Sequence, residues 1–261
     1  VMEGFVHNAL FGVYPYIAIA VFLLGSLLRF DTDQYGWRSK SSQFLRRKQL
    51  VVGSILFHVG ILGILLGHGV GLLTPVAVFD AIGISHGFKQ GLAIVAGGIF
   101  GTMCMIGLLL LLHRRLFDPR IRKTSSGSDI AVLGLLFVQL SLGMATIPLS
   151  LGHMDGHMMV QFMNYVQGIV ILAPSPELIA DVPAVFKLHM FLGFTILLVF
   201  PFTRLVHVWS APLGYVGRSY QVVRTKVCAL PLPEADDDLP PYVAPQPKRR
   251  PVPQPAQREA A

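Results

Sequence analysis

Apolar residues in this chain gather into long continuous blocks separated by short polar stretches. The blocks run roughly Leu10–Leu28, Leu50–Leu73, Gly91–Leu112, Ile130–Leu151 and Phe186–Val206. A bilayer core needs about 20 mostly apolar residues per helix. In lipid only helices or a closed barrel satisfy the backbone, and these runs are too long for barrel strands. The pattern therefore predicts an all-α membrane protein, a five-transmembrane-helix bundle. Glycines recur inside the blocks (Gly60, Gly63, Gly67, Gly97, Gly98, Gly101), as expected where helices or a flat cofactor approach the backbone closely. Past Lys226 the pattern changes to a proline-rich stretch with an acidic cluster (Glu234, Asp236, Asp237, Asp238) and a basic one (Lys248 to Arg250). Such a segment cannot bury a core. The expected division is a membrane domain over 1–228 and a disordered cytoplasmic tail over 229–261.

Composition agrees with lipid as the solvent. The chain is 53% hydrophobic and only 13% charged, whereas soluble domains carry about a quarter charged residues. The net charge of +7 would raise nucleic-acid binding in a soluble protein. Here the basic residues lie between apolar runs, so they report topology, and no nucleic-acid partner is expected. Nineteen Lys and Arg fall after spans one and three and from Arg204, at the end of span five, onward, against Lys89 and Lys187 on the other side. By the positive-inside rule the N-terminus faces outward and the C-terminus lies in the cytoplasm. No cleavable signal peptide is evident, since the first run lacks a basic leader and is long enough to span. Cys104 and Cys228 form no CxxC site, and without Cys-x-x-Cys-His covalent haem attachment is not expected.

Nine histidines are present, and four lie within or at the ends of spans two and five: His58, His68, His189 and His207. Ionisable side chains at membrane depth are rare and signal function, and neutral imidazole is an axial ligand of haem iron. The two spans run in opposite directions. His68 therefore lies level with His189 near the outside, and His58 level with His207 near the cytoplasm. That is the arrangement for two stacked haems, each held by two histidines. Eighteen residues place His189 and His207 on one helical face about 27 Å apart. His58 and His68 are about 80° out of register and about 15 Å apart. Helix tilt, Pro201 and different approach angles are the features able to absorb this mismatch. Gly60, Gly67, Gly69 and Gly193 leave room for a macrocycle, although such glycines taken singly are more often helix-packing residues. His7, His86, His113, His153 and His157 carry weaker signals, and the nearby methionines (Met154, Met158, Met159, Met163) are expected to cover apolar surface.

Several phrases carry a family resemblance. They are Tyr14-Pro15-Tyr16-Ile17-Ala18, Leu56-Phe57-His58-Val59-Gly60-Ile61-Leu62-Gly63, Gly67-His68 and His113-Arg114-Arg115-Leu116-Phe117. They continue through His153-Met154-Asp155-Gly156, Leu188-His189 and the run from Phe200 to Ser210. From about residue 10 to residue 226 the chain resembles the gamma subunit, the membrane cytochrome b, of bacterial respiratory nitrate reductase. The resemblance implies two haem b groups, with His68 and His189 ligating the distal haem and His58 and His207 the proximal one. It implies a multi-pass subunit of the bacterial inner membrane, in lipid, that anchors a cytoplasmic molybdenum alpha subunit and an iron–sulfur beta subunit. Quinol, menaquinol or ubiquinol, would be oxidised near the outer face, with Lys89, Gly67 and His68 at that site. The associated processes would be anaerobic respiration and nitrate assimilation. Arg204 would serve a propionate of the proximal haem.

Other readings remain at this level: a di-haem quinol-oxidising subunit for a sulfur-cycle or hydrogenase module, a haem-free proton-coupled transporter, or a bare anchor. Against the transporter, no internal repeat is seen and few acidic residues fall inside the spans. Lys89 by itself reads as a snorkelling anchor, and Arg204 as an ordinary positive-inside arginine.

Overall fold

A computed structural model describes residues 2–33, 45–152 and 154–209. The expected boundary at 228/229 and the tail beyond it lie outside these residues, as do His153 and Cys228. Five helices are long and apolar enough to cross a membrane: α1 (Met2–Thr32), α2 (Arg47–Leu73), α3 (His86–Phe117), α4 (Gly127–Leu151) and the span Ala184–Phe202. A shorter amphipathic helix, α5 (His157–Val170), precedes α6 (Ala184–Val199), the regular part of the last span. There is no strand among the described residues. Leu23, Leu24, Leu62, Leu65 and Leu66 are all half or more exposed. A water-soluble fold would hide such a belt; a lipid-facing one has no reason to.

The helices pack in series, α2 on α3, α3 on α4, α4 on α6 and α6 on α1. The α2–α3 seam is the tightest because glycines remove the side chains that would hold the backbones apart. A Cβ on Gly60 would meet the backbone of Cys104, and one on Gly107 would meet the backbone of Phe57. Gly60 is thus a helix-packing glycine, as one of its two sequence readings has it, and the other, that it leaves space for a macrocycle, is corrected. Gly67 and Gly69 do border open space.

Span one contains a π-helical turn, Ala9–Val13, immediately before Tyr14-Pro15. Proline has no N–H to give the carbonyl four residues back, which here belongs to Phe11. The hydroxyl of Tyr165, fully buried on α5, donates to that carbonyl at 2.8 Å instead. Tyr165 lies in the main buried cluster with Phe11, Met158, Ile169, Ile179, Val182 and Phe186. On the same helix, the Gln167 amide donates to the Leu72 and Thr74 carbonyls at the end of α2. The amphipathic helix therefore seals one end of the bundle against α1 and α2. Met158 and Met163 are buried there as expected, whereas Met154 is half exposed.

The last span departs from a single regular helix. α6 ends at Val199, a 3₁₀ turn covers Phe200–Phe202, and Thr203 is extended before a second 3₁₀ segment, Arg204–Val208. His189 and His207 consequently do not share one helical face, and the eighteen-residue argument for that face fails. Pro201 supplies the physical reason, since its ring and missing N–H interrupt the ladder. Arg29, at the end of span one, donates to the carbonyls of Pro201 (2.6 Å) and Thr203 (2.9 Å) and so stabilises the break.

Candidate haem-binding histidine pairs

Two histidine pairs face each other at two levels of the bundle. The ring centres of His58 and His207 are 6.3 Å apart with planes at 72°, and those of His68 and His189 are 6.2 Å apart at 45°. These are the pairs expected from counting depth along antiparallel spans. The break after Pro201 removes the spacing mismatch, because His207 is no longer constrained to the rise of α6.

All four imidazoles are oriented by backbone carbonyls. Nδ1–H of His58 donates to Ser54 at 2.7 Å, and that of His68 to Ile64 at 2.9 Å. Nδ1–H of His207 donates to Arg204 at 2.6 Å, and that of His189 to Gln139 on α4 at 3.2 Å. With Nδ1 committed as donor, Nε2 of each ring keeps its lone pair for a metal, the usual way a ligating histidine has its tautomer fixed.

The donor chemistry suits haem. First-row metals bond imidazole nitrogen at about 2.0–2.1 Å, and with the ring centre roughly 1.1 Å behind that nitrogen two opposed rings sit about 6.2–6.4 Å apart. Both pairs match this spacing. Among the described residues no group of three or more His, Cys, Asp or Glu converges as a closed metal site. Two ligands per level are what an iron needs when a macrocycle supplies its other four donors. His58 and His68 are exposed within a span, and a Cβ on Gly67 or Gly69 would touch nothing. Space is thereby left beside the His68 imidazole.

Gly143, which the sequence did not single out, makes room for His189. A Cβ there would lie 2.9 Å from Cε1 of the ring and 3.5 Å from Nδ1. Only its place in an apolar run preceding the histidine-bearing span marked it beforehand, and that signal is weak.

Lys89 is buried, with 6% of its surface exposed, so it is no snorkelling anchor. Its ammonium donates to Sδ of Met163 at 2.6 Å and lies 3.8 Å above the ring of Phe79. Among the described residues it forms no ion pair and no hydrogen bond to His68. A thioether and a π-face are soft partners, which leaves N–H donors for an oxygen acceptor. Nearby His86 approaches Asp80 at 3.5 Å.

At the opposite, arginine-rich end, Arg204 pairs with Asp129 at 3.4 Å, and Asp129 also holds Arg115 at 3.1 Å. Burial pulls the Arg204 guanidinium below its usual range, with Asp129 opposing that effect. Neither Asp129 nor Arg29 stood out in the sequence as part of a site. The signal able to find Asp129 is the Ser-x-x-Asp pattern (Ser126, Asp129) opening the fourth span, whereas Arg29 counts in the sequence only toward topology. The Gln49 amide donates to Nδ1 of His113 at 3.3 Å, and His7 donates to the Pro176 carbonyl at 2.7 Å. Both are structural contacts.

Comparison with known proteins gives a consistent answer. Residues 7–226 match the family model described as the nitrate reductase gamma subunit. The chain is 48% identical over 223 residues to the respiratory nitrate reductase 1 gamma chain of Escherichia coli (strain K12), covering 85% of this chain and 99% of that one. It is 48% identical over 217 residues to the respiratory nitrate reductase 2 gamma chain of the same organism, covering 83% and 96%. With the nitrate reductase gamma chain of Bacillus subtilis (strain 168) the identity is 42% over 217 residues, covering 83% and 97%.

Proposed function

The chain belongs to the nitrate reductase gamma subunit family, and from that premise we propose that it is the quinol-oxidising membrane cytochrome b subunit of its complex. The observation that carries this reading is the pair of imidazole couples, each at bis-ligand spacing with every Nδ1 tied to a carbonyl. Two haem b groups, when bound, supply one-electron transfer between the two ends of the bundle. His68 and His189 would hold the distal group, and His58 and His207 the proximal one.

The remaining chemistry falls to the chain's own groups. Quinol loses two electrons and two protons as it becomes quinone. Lys89, with its soft partners and spare N–H donors, is suited to bind a quinol oxygen, and Gly67 beside His68 admits a ring close to the backbone. The count of nineteen cations against two supports an outer location for this end. Protons released there, with electrons delivered inside, charge the membrane without a proton channel. The recipients would be the cytoplasmic iron–sulfur beta and molybdenum alpha subunits, and the location the bacterial inner membrane. Arg204 is available to a propionate at the inner end. The relatives are named for respiratory nitrate reductase, so the reading is respiratory; nothing in them supports nitrate assimilation, and that expectation is dropped.

The test is a reduced-minus-oxidised visible spectrum of the purified complex. A b-type signal with two haems for each copy of this chain is expected, falling to one or none in His58→Ala and His189→Ala. Absence of haem from the unaltered protein would overturn the reading. Reduction by a quinol analogue should slow in Lys89→Ala, and an unchanged rate would remove Lys89 from the quinol site.

A further inference from the structure

His207 sits on a weak support. The five residues Arg204–Val208 form a 3₁₀ segment, preceded by extended Thr203 (φ −120°, ψ 176°), so no continuous helical ladder joins it to α6. Such segments have poorer hydrogen-bond geometry than α-helix. A metal ligand nonetheless needs a defined ring orientation. Arg29 holds the carbonyls upstream of the segment but does not reach the ring.

Arg204 does both jobs needed of an orienting group. Its main-chain carbonyl accepts the Nδ1–H of His207 at 2.6 Å, and its side chain is held by the Asp129 carboxylate. Asp129 is in turn a rigid post. Its backbone N–H donates to Ser126 Oγ at 3.2 Å, and its Oδ2 accepts from the Ser126 N–H at 3.3 Å. That reciprocal cap locks its rotamer at the start of α4. Arg115, from the end of α3, takes the same Oδ2, and donates to Ser125 Oγ at 3.1 Å. Asp129 is buried, at 7% exposure. A cap alone requires only the serine; a carboxylate buried between two guanidiniums from other elements is a further commitment.

We infer that Asp129 is a positioning residue for the His207 imidazole, acting through Arg204. The inference rests on the haem reading above. It also gives α4 a common role, because the other ligand of the last span, His189, is oriented by the Gln139 carbonyl of the same helix. One helix thus sets both imidazole planes of that span, once through a carbonyl and once through a charge.

The measurement is low-spin EPR of the oxidised full complex in membranes, together with haem content. The signal of iron between two imidazoles depends on the angle between their planes, so it reads ring orientation directly. The His58–His207 signal is identified by its loss in His58→Ala. In Asp129→Asn that signal should shift while the other stays in place, and Asp129→Glu should restore it. Arg204→Gln should disturb the same signal. Unchanged signals in Asp129→Asn at full haem content would overturn the inference, as would equal changes in both signals. Should Asp129→Asn fail to accumulate, Arg204→Gln decides: its proximal signal must move, and an unmoved signal overturns the inference. Loss of both haems in both variants would also overturn it, in favour of a general folding role. An unaltered protein without haem would defeat the proposed function itself, a result distinguishable from two normal signals that ignore Asp129.

Discussion

Replacing Gly143 with alanine adds one methyl group against the imidazole of His189, one of the four proposed haem ligands. The new carbon would lie 2.9 Å from Cε1 of His189, whereas carbon–carbon contacts are comfortable at about 3.5–4.0 Å. The ring must therefore retreat by roughly 0.6 Å or more. It cannot do so freely, because Nδ1–H is tied to Gln139 and Nε2 must stay aimed at the position facing His68. Overpacking of this kind costs about 1–3 kcal/mol. Alanine improves helix propensity over glycine by about 1 kcal/mol, but that gain is present with and without haem and cancels from haem affinity. Without haem the imidazole can rotate aside, so the cost falls on the haem-bound state. At about 1.4 kcal/mol per tenfold, haem retention at the His68–His189 site should weaken by about 5- to 150-fold. The assay is haem content per chain before and after a competitive haem-stripping wash, with EPR to tell the sites apart. Selective loss or displacement of the His68–His189 signal is expected. Full retention with both signals unmoved would refute the packing argument.

Tyr165→Phe should leave the Phe11 carbonyl without a donor and lower stability by about 1–3 kcal/mol, read as thermal unfolding in detergent. In a Pro15→Ala background the restored N–H can serve that carbonyl, so the same change should cost less; an equal cost in both backgrounds would refute the proline explanation. Acid sensitivity offers another test at Asp118. Backbone N–H donation from Ile121 holds its carboxyl below the usual range, against a burial effect in the other direction, with further help from Arg120 N–H, Arg46 and Arg114. A depressed carboxylate stabilises the fold above its unfolded value of about 3.9 and loses that contribution as pH falls through its lower folded value. Asp118→Asn should therefore flatten the decline of thermal stability below about pH 4, and an identical decline in both proteins would exclude this role.

Much of the arrangement was legible in the chain. The five spans emerged at nearly their observed places, with α1 and α3 extending further into the polar flanks. The pairing of His58 with His207 and of His68 with His189 followed from direction and depth alone. The last span reads as one helix in the sequence because its composition stays apolar through Pro201, and hydropathy does not register the break seen there. Gly60 carries two readings in the sequence, helix packing and cofactor space; the structure selects the first, at the α2–α3 seam, since proximity in sequence to His58 says nothing about which helix face it occupies. Lys89 read as a surface anchor from its place at a span's end; α5 folding over that end, with Met163 against the ammonium, is what buries it.

By itself the sequence determined how many helices are long and apolar enough to cross a membrane, which residue types are suited to ligate and which levels they occupy. Apolar length, side-chain chemistry and rise per residue are local quantities, set without knowledge of neighbours. Only the tertiary structure decided how the ligands are aimed. The orientation of His207 depends on Arg204 and Asp129, with its strand of chain held by Arg29, and the orientation of His189 depends on Gln139 and Gly143. Apart from Arg204, these partners lie tens to more than a hundred residues away. Burying an imidazole at a fixed angle requires a donor–acceptor match and an absence of side chain at one point in space, and such coincidences exist only once distant segments have packed.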